Sequence, residues 1–363
     1  MTWLLFVGGL AALVGGASLL VRGAAQLALR LGLSPLVVGL TVVAFGTSAP
    51  ELAVSTGAVL KGQGGLALGN AIGSNTFNVL FILGLAALVT PLAVHRQVIR
   101  REAPIMIGAA VLLIVLCLDG TLGLFDALLL LGSLVAYTGF LLRRSRAEPV
   151  SVGRDEFAEA LPPAASGRWD ATLTGQIGLI VTGLVLLVLG SQGLVQAAVS
   201  LARALGLSEV VIGLTIVAAG TSLPEVAASL VASLKGERDI AVGNVVGSCI
   251  FNLFGVVGTS ALVASLGTGA PLSVPPDVAR FDLWVMLAAL VACLPVFVTG
   301  RTIARWEGAL FLAYYVAYTA YLVMAAQRHA GAQAFGDAML GFVLPLTVVT
   351  LGVTMLWRPG RRA

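Results

Sequence analysis

Hydrophobic residues run through this chain in long, nearly uninterrupted stretches, separated by short polar or basic segments. A helix that crosses a lipid bilayer needs about 20 mostly apolar residues, and the pattern predicts eleven such spans. Their approximate limits are 3–21, 34–60, 64–90, 103–118, 121–142, 172–202, 208–234, 238–267, 283–299, 305–326 and 334–357. Such long spans differ from the short alternating strands of an outer-membrane barrel. The predicted fold class is therefore all-α, in a polytopic membrane protein.

Composition supports this prediction, since 58% of the residues are hydrophobic and only 10% are charged. Soluble domains carry about 25% charged residues. The net charge of +4 could indicate nucleic-acid binding, but the basic residues follow a membrane topology. With the N-terminus outside, every Lys and Arg falls on the inner side except Lys61, Arg203, Arg280 and Arg328. This bias follows the positive-inside rule. It predicts a plasma (bacterial inner) membrane protein with a cytoplasmic C-terminus and no nucleic-acid partner.

One segment of the chain occurs twice. Residues 31–84 align without gaps to residues 205–258, and 29 of the 54 positions are identical. The shared residues include Gly-Thr-Ser-x-Pro-Glu, which ends at Glu51 and Glu225, and Gly-Asn-x-x-Gly-Ser-x-x-x-Asn, which ends at Asn78 and Asn252. Chance similarity between apolar segments would match Leu, Val and Ala rather than these residues, so the chain is a duplicated half-protein.

The spacing of the two copies predicts their relative orientation. Five predicted spans separate each residue from its partner, and an odd number makes the copies cross the membrane in opposite directions, as in many secondary transporters. We therefore expect two inverted five-helix repeats, at 1–142 and 172–326, joined by a cytoplasmic linker at 143–171. Residues 327–363 would add an extra C-terminal transmembrane helix and a basic tail.

Two carboxylates lie well inside hydrophobic spans, Glu51 and Glu225, at equivalent positions of the two copies. A charged side chain at the bilayer centre costs on the order of 2.5–3.5 kcal/mol on insertion scales. No Lys or Arg lies at mid-span to compensate, so a mobile cation is the predicted partner. The alternative is a protonated pair of glutamic acids that hydrogen-bond between helices.

The residues before each glutamate predict a broken helix. Pro50 and Pro224 lack the N–H that would bond the carbonyl four residues back, at Gly46 and Gly220. Lipid supplies no hydrogen-bond donor for a freed carbonyl, whereas a calcium ion binds several oxygens. Each helix is therefore expected to break near the glutamate and to offer carbonyls to a cation. A simple proline kink is the alternative.

The next span of each copy carries polar side chains on one face. Ser74 and Asn78 are four residues apart, as are Ser248 and Asn252, so each pair shares a helix face. Such residues often hydrogen-bond neighbouring helices. Their symmetric occurrence beside the glutamate spans favours a role as cation ligands. Glycines at four-residue spacing in the same two spans predict close helix contacts.

Together, these two motifs resemble the alpha repeats of the cation/calcium exchanger superfamily, most closely its sodium/calcium exchanger branch of the prokaryotic type. The resemblance covers both repeat cores and the layout of five plus five helices. It implies that two glutamates and the carbonyls of adjacent threonines hold calcium, while other carbonyls, serine hydroxyls and the same glutamates hold sodium. Calcium and sodium are then transported ions, and no resident cofactor is implied.

Carried over to this chain, the implied calcium ligands are Glu51, Glu225, Thr47 and Thr221. The implied sodium ligands beside the glutamates are the carbonyls of Ala44 and Ala218 and the hydroxyls of Ser74 and Ser248. Flanking and central positions are Ser48, Ser222, Asn78 and Asn252.

The chain also departs from the family pattern. Some members have Asp where this chain has Asn252, and its absence argues against potassium coupling. Cys249 stands where the first copy has Asn75, which could be packing or could alter ion preference. The proton-coupled branch places a glutamate soon after each Gly-Asn. Here Asn70 and Asn244 are not followed by one.

The predicted function is therefore sodium/calcium antiport, with calcium/proton antiport as the alternative. Two carboxylates give the site a charge of about −2, which one calcium ion or several sodium ions can shield, whereas a bare site would cross the apolar barrier at high cost. A channel is less compatible with inverted repeats. Catalysis would need a nucleophile or metal cluster, and the only histidines, His95 and His329, lie near span ends. The oligomeric state stays open.

Glycines are frequent in the first and sixth spans, which suggests that these two spans move to alternate access. Close helix packing is the alternative. The glycines concerned are Gly8, Gly9, Gly15, Gly16, Gly183, Gly190 and Gly193.

Overall fold

The computed structural model describes residues 2–147, 172–204 and 218–357. Nearly all of these residues are helical. The helices are α1 (Thr2–Leu31), α2 (Pro35–Thr47), α3 (Ala49–Leu60), α4 (Gly64–Val89), α5 (Val98–Asp119), α6 (Leu124–Ala147), α7 (Leu173–Ala204), α8 (Leu223–Leu234), α9 (Arg238–Thr268), α10 (Val278–Val298), α11 (Arg305–Ala326) and α12 (331–357). A short helical turn, Ala218–Gly220, precedes α8.

The predicted spans agree with these helices. In the described part of the chain, nine helices are long and apolar enough to cross a membrane, and the bent pair α2 and α3 would make a tenth. The remaining predicted span, 208–234, lies outside the described residues up to position 217, and α8 is its described end. The all-α, polytopic fold class is confirmed. Most of the predicted linker lies outside the described residues, although α6 continues to Ala147.

The predicted break before each glutamate is present. The axes of α2 and α3 differ by 41°, and Ser48 between them has a non-helical ψ of 7°. In the second repeat, Ser222 has the same ψ of 7°, and α8 starts directly after it. Pro50 and Pro224 both lie in the first turn of the new helix, where the missing N–H would have no partner in any case.

A widened helical turn occurs at matching positions of the two repeats. The turns Asn78–Leu83 in α4 and Asn252–Val256 in α9 are π-helical, and each begins with the predicted central asparagine. Such π turns often occur at functional sites. The sequence pattern does not predict them, because apolar periodicity cannot show which carbonyl each N–H will choose.

Four two-residue strands link the repeats to each other. They are β1 (Leu92–Ala93), β2 (Thr121–Leu122), β3 (Leu272–Ser273) and β4 (Thr302–Ile303). β1 pairs with β4 and β2 pairs with β3, both antiparallel. Each pair therefore joins one strand of the first repeat to one of the second. These strand pairs lie at the ends of α5 and α10, so they connect the two repeats outside the polar centre.

Helices α1 and α7 pack closely against each other through glycines. A Cβ added at Gly16 would lie 2.7 Å from the carbonyl oxygen of Gly183, and one at Gly9 would lie 2.8 Å from that of Gly190. Gly8 and Gly15 have no described atom within 4 Å of such a Cβ. Close packing is thus the role of four of the predicted glycines. Movement of α1 and α7 stays a prediction.

The apolar core is divided in a way that sets this helix pair apart. The larger cluster of buried side chains contains residues from α2 to α6 and from α9 to α11. The smaller cluster centres on α1 and α7, with residues such as Leu20 and Leu187, and touches α2, α8 and α9. Of the two glutamate-bearing helices, α3 contributes buried residues to the larger cluster and α8 to the smaller one.

Candidate functional site

Glu51 and Glu225 occupy the first turns of α3 and α8, directly after the two breaks. Their side chains are 0% and 1% exposed. A helix N-terminus favours negative charge because its first N–H groups point outward along the axis. In the described part of the chain, no Lys, Arg or His side chain is buried. No buried basic residue therefore neutralises this pair.

Each glutamate is held by a serine of the opposite repeat. Ser222 Oγ donates to Glu51 Oε1 at 2.9 Å, and Ser48 Oγ donates to Glu225 Oε1 at 2.9 Å. The other oxygens, Oε2 of both residues, are buried and have no hydrogen-bond partner among the described residues. A buried oxygen without a partner is costly. The two unsatisfied oxygens are therefore an acceptor pair suited to a cation.

Asn70 connects the first glutamate helix to its surroundings. Its Nδ2 donates to the main-chain oxygen of Glu51 at 3.3 Å and to Ser55 Oγ at 3.0 Å. Its Oδ1 accepts from Thr221 Oγ1 of the second repeat at 3.4 Å. One amide thus holds α3 and reaches across the centre of the molecule.

Asn244 repeats this arrangement in the second half. Its Nδ2 donates to the main-chain oxygen of Glu225 at 3.4 Å and to Ser229 Oγ at 2.9 Å, and its Oδ1 accepts from Thr47 Oγ1 at 3.1 Å. Sequence reasoning does not assign roles to these two asparagines or to Ser55 and Ser229. Their identity at matching positions of the repeats is the signal that could have found them.

The predicted serines of α4 and α9 also reach the centre. Ser74 Oγ lies 3.2 Å from Ser222 Oγ, the serine that holds Glu51. Ser248 Oγ donates to the carbonyl oxygen of Ala44 at 3.5 Å. The same carbonyl accepts from Thr47 Oγ1 at 3.3 Å. It is therefore already a multiple acceptor, and a cation that used it would have to displace a hydroxyl donor.

In the second repeat, one carbonyl expected to be free has a partner. Ser191 Oγ of α7 donates to the carbonyl oxygen of Gly220 at 2.6 Å. The expectation that the proline leaves this oxygen to a cation is therefore wrong for Gly220, because a neighbouring hydroxyl satisfies it. Ala218, whose carbonyl is an implied sodium ligand, begins the short turn that contains Gly220.

Asn78 and Asn252 lie one helical turn beyond Ser74 and Ser248, at the start of the π turns, and both are 0% exposed. Asn252 Nδ2 donates to Asn75 Oδ1 at 3.2 Å. Neither polar atom of Asn78 has a hydrogen-bond partner among the residues that the structure describes, and the same holds for Asn252 Oδ1. The centre thus contains unsatisfied neutral oxygens as well as carboxylates.

The two sides of the site differ in accessibility. Thr47 and Asn244 are both fully buried, at 0% exposure. Their counterparts Thr221 and Asn70 are half-buried. The site is therefore closed on the side of Asn244 and more open on the side of Asn70.

As a whole, the site is a pair of carboxylates surrounded by neutral oxygens. Within the described ranges no group of three or more His, Cys, Asp or Glu side chains could hold a metal ion. A resident structural or catalytic metal commonly has such a set of ligands. Broken helices from two repeats around polar residues at mid-span define a secondary transporter.

Comparison with known proteins identifies the family. The family model described as sodium/calcium exchanger protein matches residues 1–143 and 175–324. The chain belongs to this family, which consists of ion exchangers rather than enzymes. It is 33% identical to sodium/calcium exchanger MaX1 of Methanosarcina acetivorans over 309 residues, 77% of this chain and 87% of that protein. It is 39% identical to inner membrane protein YrbG of Escherichia coli over 257 residues, 70% of this chain and 76% of that protein.

A solved structure supports the same fold. The sodium-calcium exchanger NCX_Mj, from crystals soaked without sodium and calcium, matches with a TM-score of 0.73 and 27% sequence identity. The match covers 88% of this chain and 98% of that one. Other crystals of NCX_Mj were soaked with sodium and with calcium or strontium. The predicted architecture of two inverted repeats is confirmed by this likeness, and the chain is a multi-pass membrane protein.

Proposed function

We propose that this protein is a secondary active antiporter that exchanges sodium for calcium by alternating access around Glu51 and Glu225. The observation that carries the proposal is the half-satisfied state of the two glutamates. In each, Oε1 accepts a bond from the opposite repeat, while Oε2 is buried without a partner among the described residues. Calcium binds several oxygens, with carboxylates preferred, and two carboxylates neutralise its charge.

The proposed ligands are those that the family resemblance implies. For calcium they are the two glutamates with the carbonyls of Thr47 and Thr221. For sodium, the glutamates are joined by the carbonyls of Ala44 and Ala218 and the hydroxyls of Ser74 and Ser248. Ser222 bonds to Glu51 and also contacts Ser74. This arrangement favours overlapping sites, because a sodium ion near Ser74 would compete with calcium for the same carboxylate.

Competition for one set of oxygens leads to exchange. A site occupied by calcium or by sodium has its carboxylates shielded, and it can pass between the two faces of the membrane. An empty site would carry about two bare charges through an apolar region, where each costs several kcal/mol. Movement of the empty carrier is therefore suppressed, and one ion species must return for the other to cross.

The unequal burial of the two sides suggests how access alternates. The half-buried pair Thr221 and Asn70 would face one solution, while the buried pair Thr47 and Asn244 would be closed to the other. Because the repeats are inverted, exchanging these two environments would open the opposite face. With the proposed orientation, N-terminus outside and C-terminus cytoplasmic, Asn70 lies nearer the outer face. The packed pair α1 and α7 is the proposed moving body.

The test is calcium uptake into proteoliposomes loaded with sodium and diluted into sodium-free buffer. Uptake should require internal sodium, need no potassium, and fall at least about 100-fold in Glu51→Gln and in Glu225→Gln. Glu307→Gln is the matched control, since Glu307 is a buried glutamate whose Oε2 accepts from Ala304 N at the start of α11. Uptake that does not depend on sodium but follows an imposed pH gradient would show that protons rather than sodium are the coupling ion. Unchanged uptake in both glutamate variants would overturn the two-glutamate site.

A further inference from the structure

Helices α4 and α9 contact each other at a pair of residues related by the repeat, Asn75 and Cys249. Asn75 Nδ2 donates to the carbonyl oxygen of Cys249 at 3.4 Å, and Cys249 Sγ donates to the carbonyl oxygen of Asn75 at 3.9 Å. Both side chains are 0% exposed. Each residue thus binds the main chain of the other, as expected for two positions that face each other across the pseudo-symmetry of the repeats.

The contact with the main chain fixes which way the amide of Asn75 points. A carbonyl oxygen can only accept, so Asn75 must present its NH2 group to Cys249. The same nitrogen lies 3.6 Å from Met286 Sδ, which is also an acceptor. Asn75 Oδ1 is therefore the atom on the opposite side, and it accepts from Asn252 at 3.2 Å. The orientation of Asn75 follows from chemistry rather than from an arbitrary choice of amide rotamer.

The orientation of Asn252 follows in turn. Because Asn75 offers it an oxygen, Asn252 presents its own NH2 group to that contact. Its Oδ1 is then turned to the other side, where it is buried without a partner among the described residues. Asn252 is on the same helix face as Ser248, which contacts the break before Glu51 through Ala44. The free oxygen thus belongs to the polar centre.

In the first repeat, no amide oxygen orients Asn78 in this way. By symmetry, the residue that should orient Asn78 is Cys249, and its thiol does lie beside Asn78. A thiol is a weak donor and a weak acceptor, and it offers no counterpart to the Oδ1 of Asn75. Within the described part of the chain, the thiol is therefore a weak neighbouring partner of Asn78, and neither polar atom of Asn78 forms a hydrogen bond of ordinary geometry.

We propose that Asn75 is a positioning residue that fixes Asn252 with its oxygen available to the transported ion, and that Cys249, whose thiol is a weak partner, holds the amide of Asn78 only loosely. The centre then contains one preorganised amide and one adaptable amide. The adaptable one can present Oδ1 to a cation or NH2 to a water oxygen, which suits a site that alternates between different ions. This inference rests on the proposed exchange of cations at the same site.

The test compares the two asparagines by direct titration of sodium and of calcium into the purified full chain. A preorganised ligand contributes more to affinity than a mobile one. Asn252→Ala should therefore weaken binding by about 10-fold and Asn78→Ala by about 3-fold. In the exchanged background Asn75→Cys with Cys249→Asn, this order should reverse. A purely structural role would lower the stability of all the variants without reversing the order.

A second pair of variants keeps the test decisive if the exchanged protein does not fold. Cys249→Asn alone supplies the missing acceptor, so it should raise the effect of Asn78→Ala to that of Asn252→Ala. Cys249→Ala removes the thiol without adding an acceptor and should keep the wild-type order. The same order of effects in every background would overturn the inference.

Ion titration also separates this inference from the proposed function. If uptake proves to be driven by protons, sodium coupling fails, while the calcium titrations still measure the order of the two asparagines. If sodium drives uptake but the order does not respond to residue 249, the inference alone fails. Wild-type protein that binds neither ion would overturn both.

Discussion

The two repeats contribute the same contacts to the carboxylates but differ in what surrounds them. The serine bonds to Glu51 and Glu225 are both 2.9 Å long. Asn70 and Asn244 also make matching hydrogen bonds in the two repeats. The symmetry does not extend to the residues that surround these contacts. Ser191 of α7 satisfies the carbonyl of Gly220, whereas the corresponding position of α1 is Ala17. The contacts that hold the shared charge are duplicated, and divergence occurs where each repeat meets different neighbours.

The loops after the glutamate helices show a second difference. In the second repeat, Lys235 Nζ donates to the carbonyl oxygen of Ser18 in α1 at 3.2 Å, and Glu237 is only 8% exposed. The corresponding residues of the first repeat, Lys61 and Gln63, are exposed. One end of α1 is thus bound to the loop between α8 and α9. The inverted repeats are alike at the ion site and unlike at their loops.

The largest effect is expected from Asn70 and Asn244, the asparagines that hold the glutamate helices in the two repeats. Replacing Asn70 or Asn244 by Ala removes the amide's hydrogen bonds to a buried serine, a threonine hydroxyl and a glutamate carbonyl. Since each such loss costs about 1–3 kcal/mol, we expect either variant to lower sodium-driven calcium uptake by about 100-fold. Initial uptake rates at matched protein content provide the measurement. Thr56→Ala is the control, because its hydroxyl bonds only within its own helix. If one asparagine proved dispensable, the two halves would not be equivalent.

The serines should give smaller and unequal effects. Ser48 bonds only to Glu225, whereas Ser222 bonds to Glu51 and also contacts Ser74. A hydrogen bond to a charged group contributes about 1.5–3 kcal/mol, so Ser48→Ala should weaken calcium binding by about 10-fold and Ser222→Ala by somewhat more. Calcium titration of the purified variants measures both. Equal effects would mean that the contact with Ser74 contributes nothing.

Much of this site could be predicted from the sequence because its residues break the apolar pattern twice. Glu51 and Glu225 are conspicuous as carboxylates within hydrophobic spans. Ser74 and Ser248 likewise occupy matching positions of the two repeats. Asn70 and Asn244 carry the same repeated signal, but neither motif shows that an amide reaches across to the threonine of the other repeat. That contact depends on how the repeats face each other, which no local pattern contains.

Other features have no local signal at all. The π turns that start at Asn78 and Asn252 arise from a change of hydrogen-bond partner within continuous apolar helices. The strands β1 to β4 have two residues each and exist only because distant segments meet. The bond from Ser191 to Gly220 likewise joins two helices. Long-range contacts of this kind decide which predicted carbonyls stay open to an ion.

A moderate effect is expected where α1 meets α7. Gly16→Ala or Gly183→Ala would bring a methyl group within 2.7 Å of the facing main chain. Overpacking of this kind costs about 1–3 kcal/mol, so we expect a lower melting temperature and uptake reduced by about 5-fold. Gly15→Ala is the matched control, with no described atom within 4 Å. Normal melting and uptake in Gly16→Ala would show that the helices can separate freely.

The smallest expected effect concerns Glu237, where the loops of the two repeats differ. Burial and, to a lesser extent, the neighbouring Asp239 raise the pKa of Glu237 to about 7, while Lys235 opposes the shift. Arg22 of α1 also acts on Lys235. An unfolded glutamate titrates at about 4.3, so the folded protein favours the neutral acid. Stability from this group is fully present below about pH 4.3, declines as the pH rises, and is fully lost only above about pH 7, once the folded state is ionised as well.

Thermal melting of the purified protein between pH 5 and pH 8 measures this contribution. Wild type should lose a few degrees of melting temperature as the pH rises toward about 7, and Glu237→Gln should flatten that slope, because an amide does not titrate in this range. The reciprocal variant Gln63→Glu adds a carboxyl at the exposed counterpart in the first repeat and should add no slope. An unchanged slope in Glu237→Gln would assign the pH response to other groups, and the loops would then differ in shape without differing in titration.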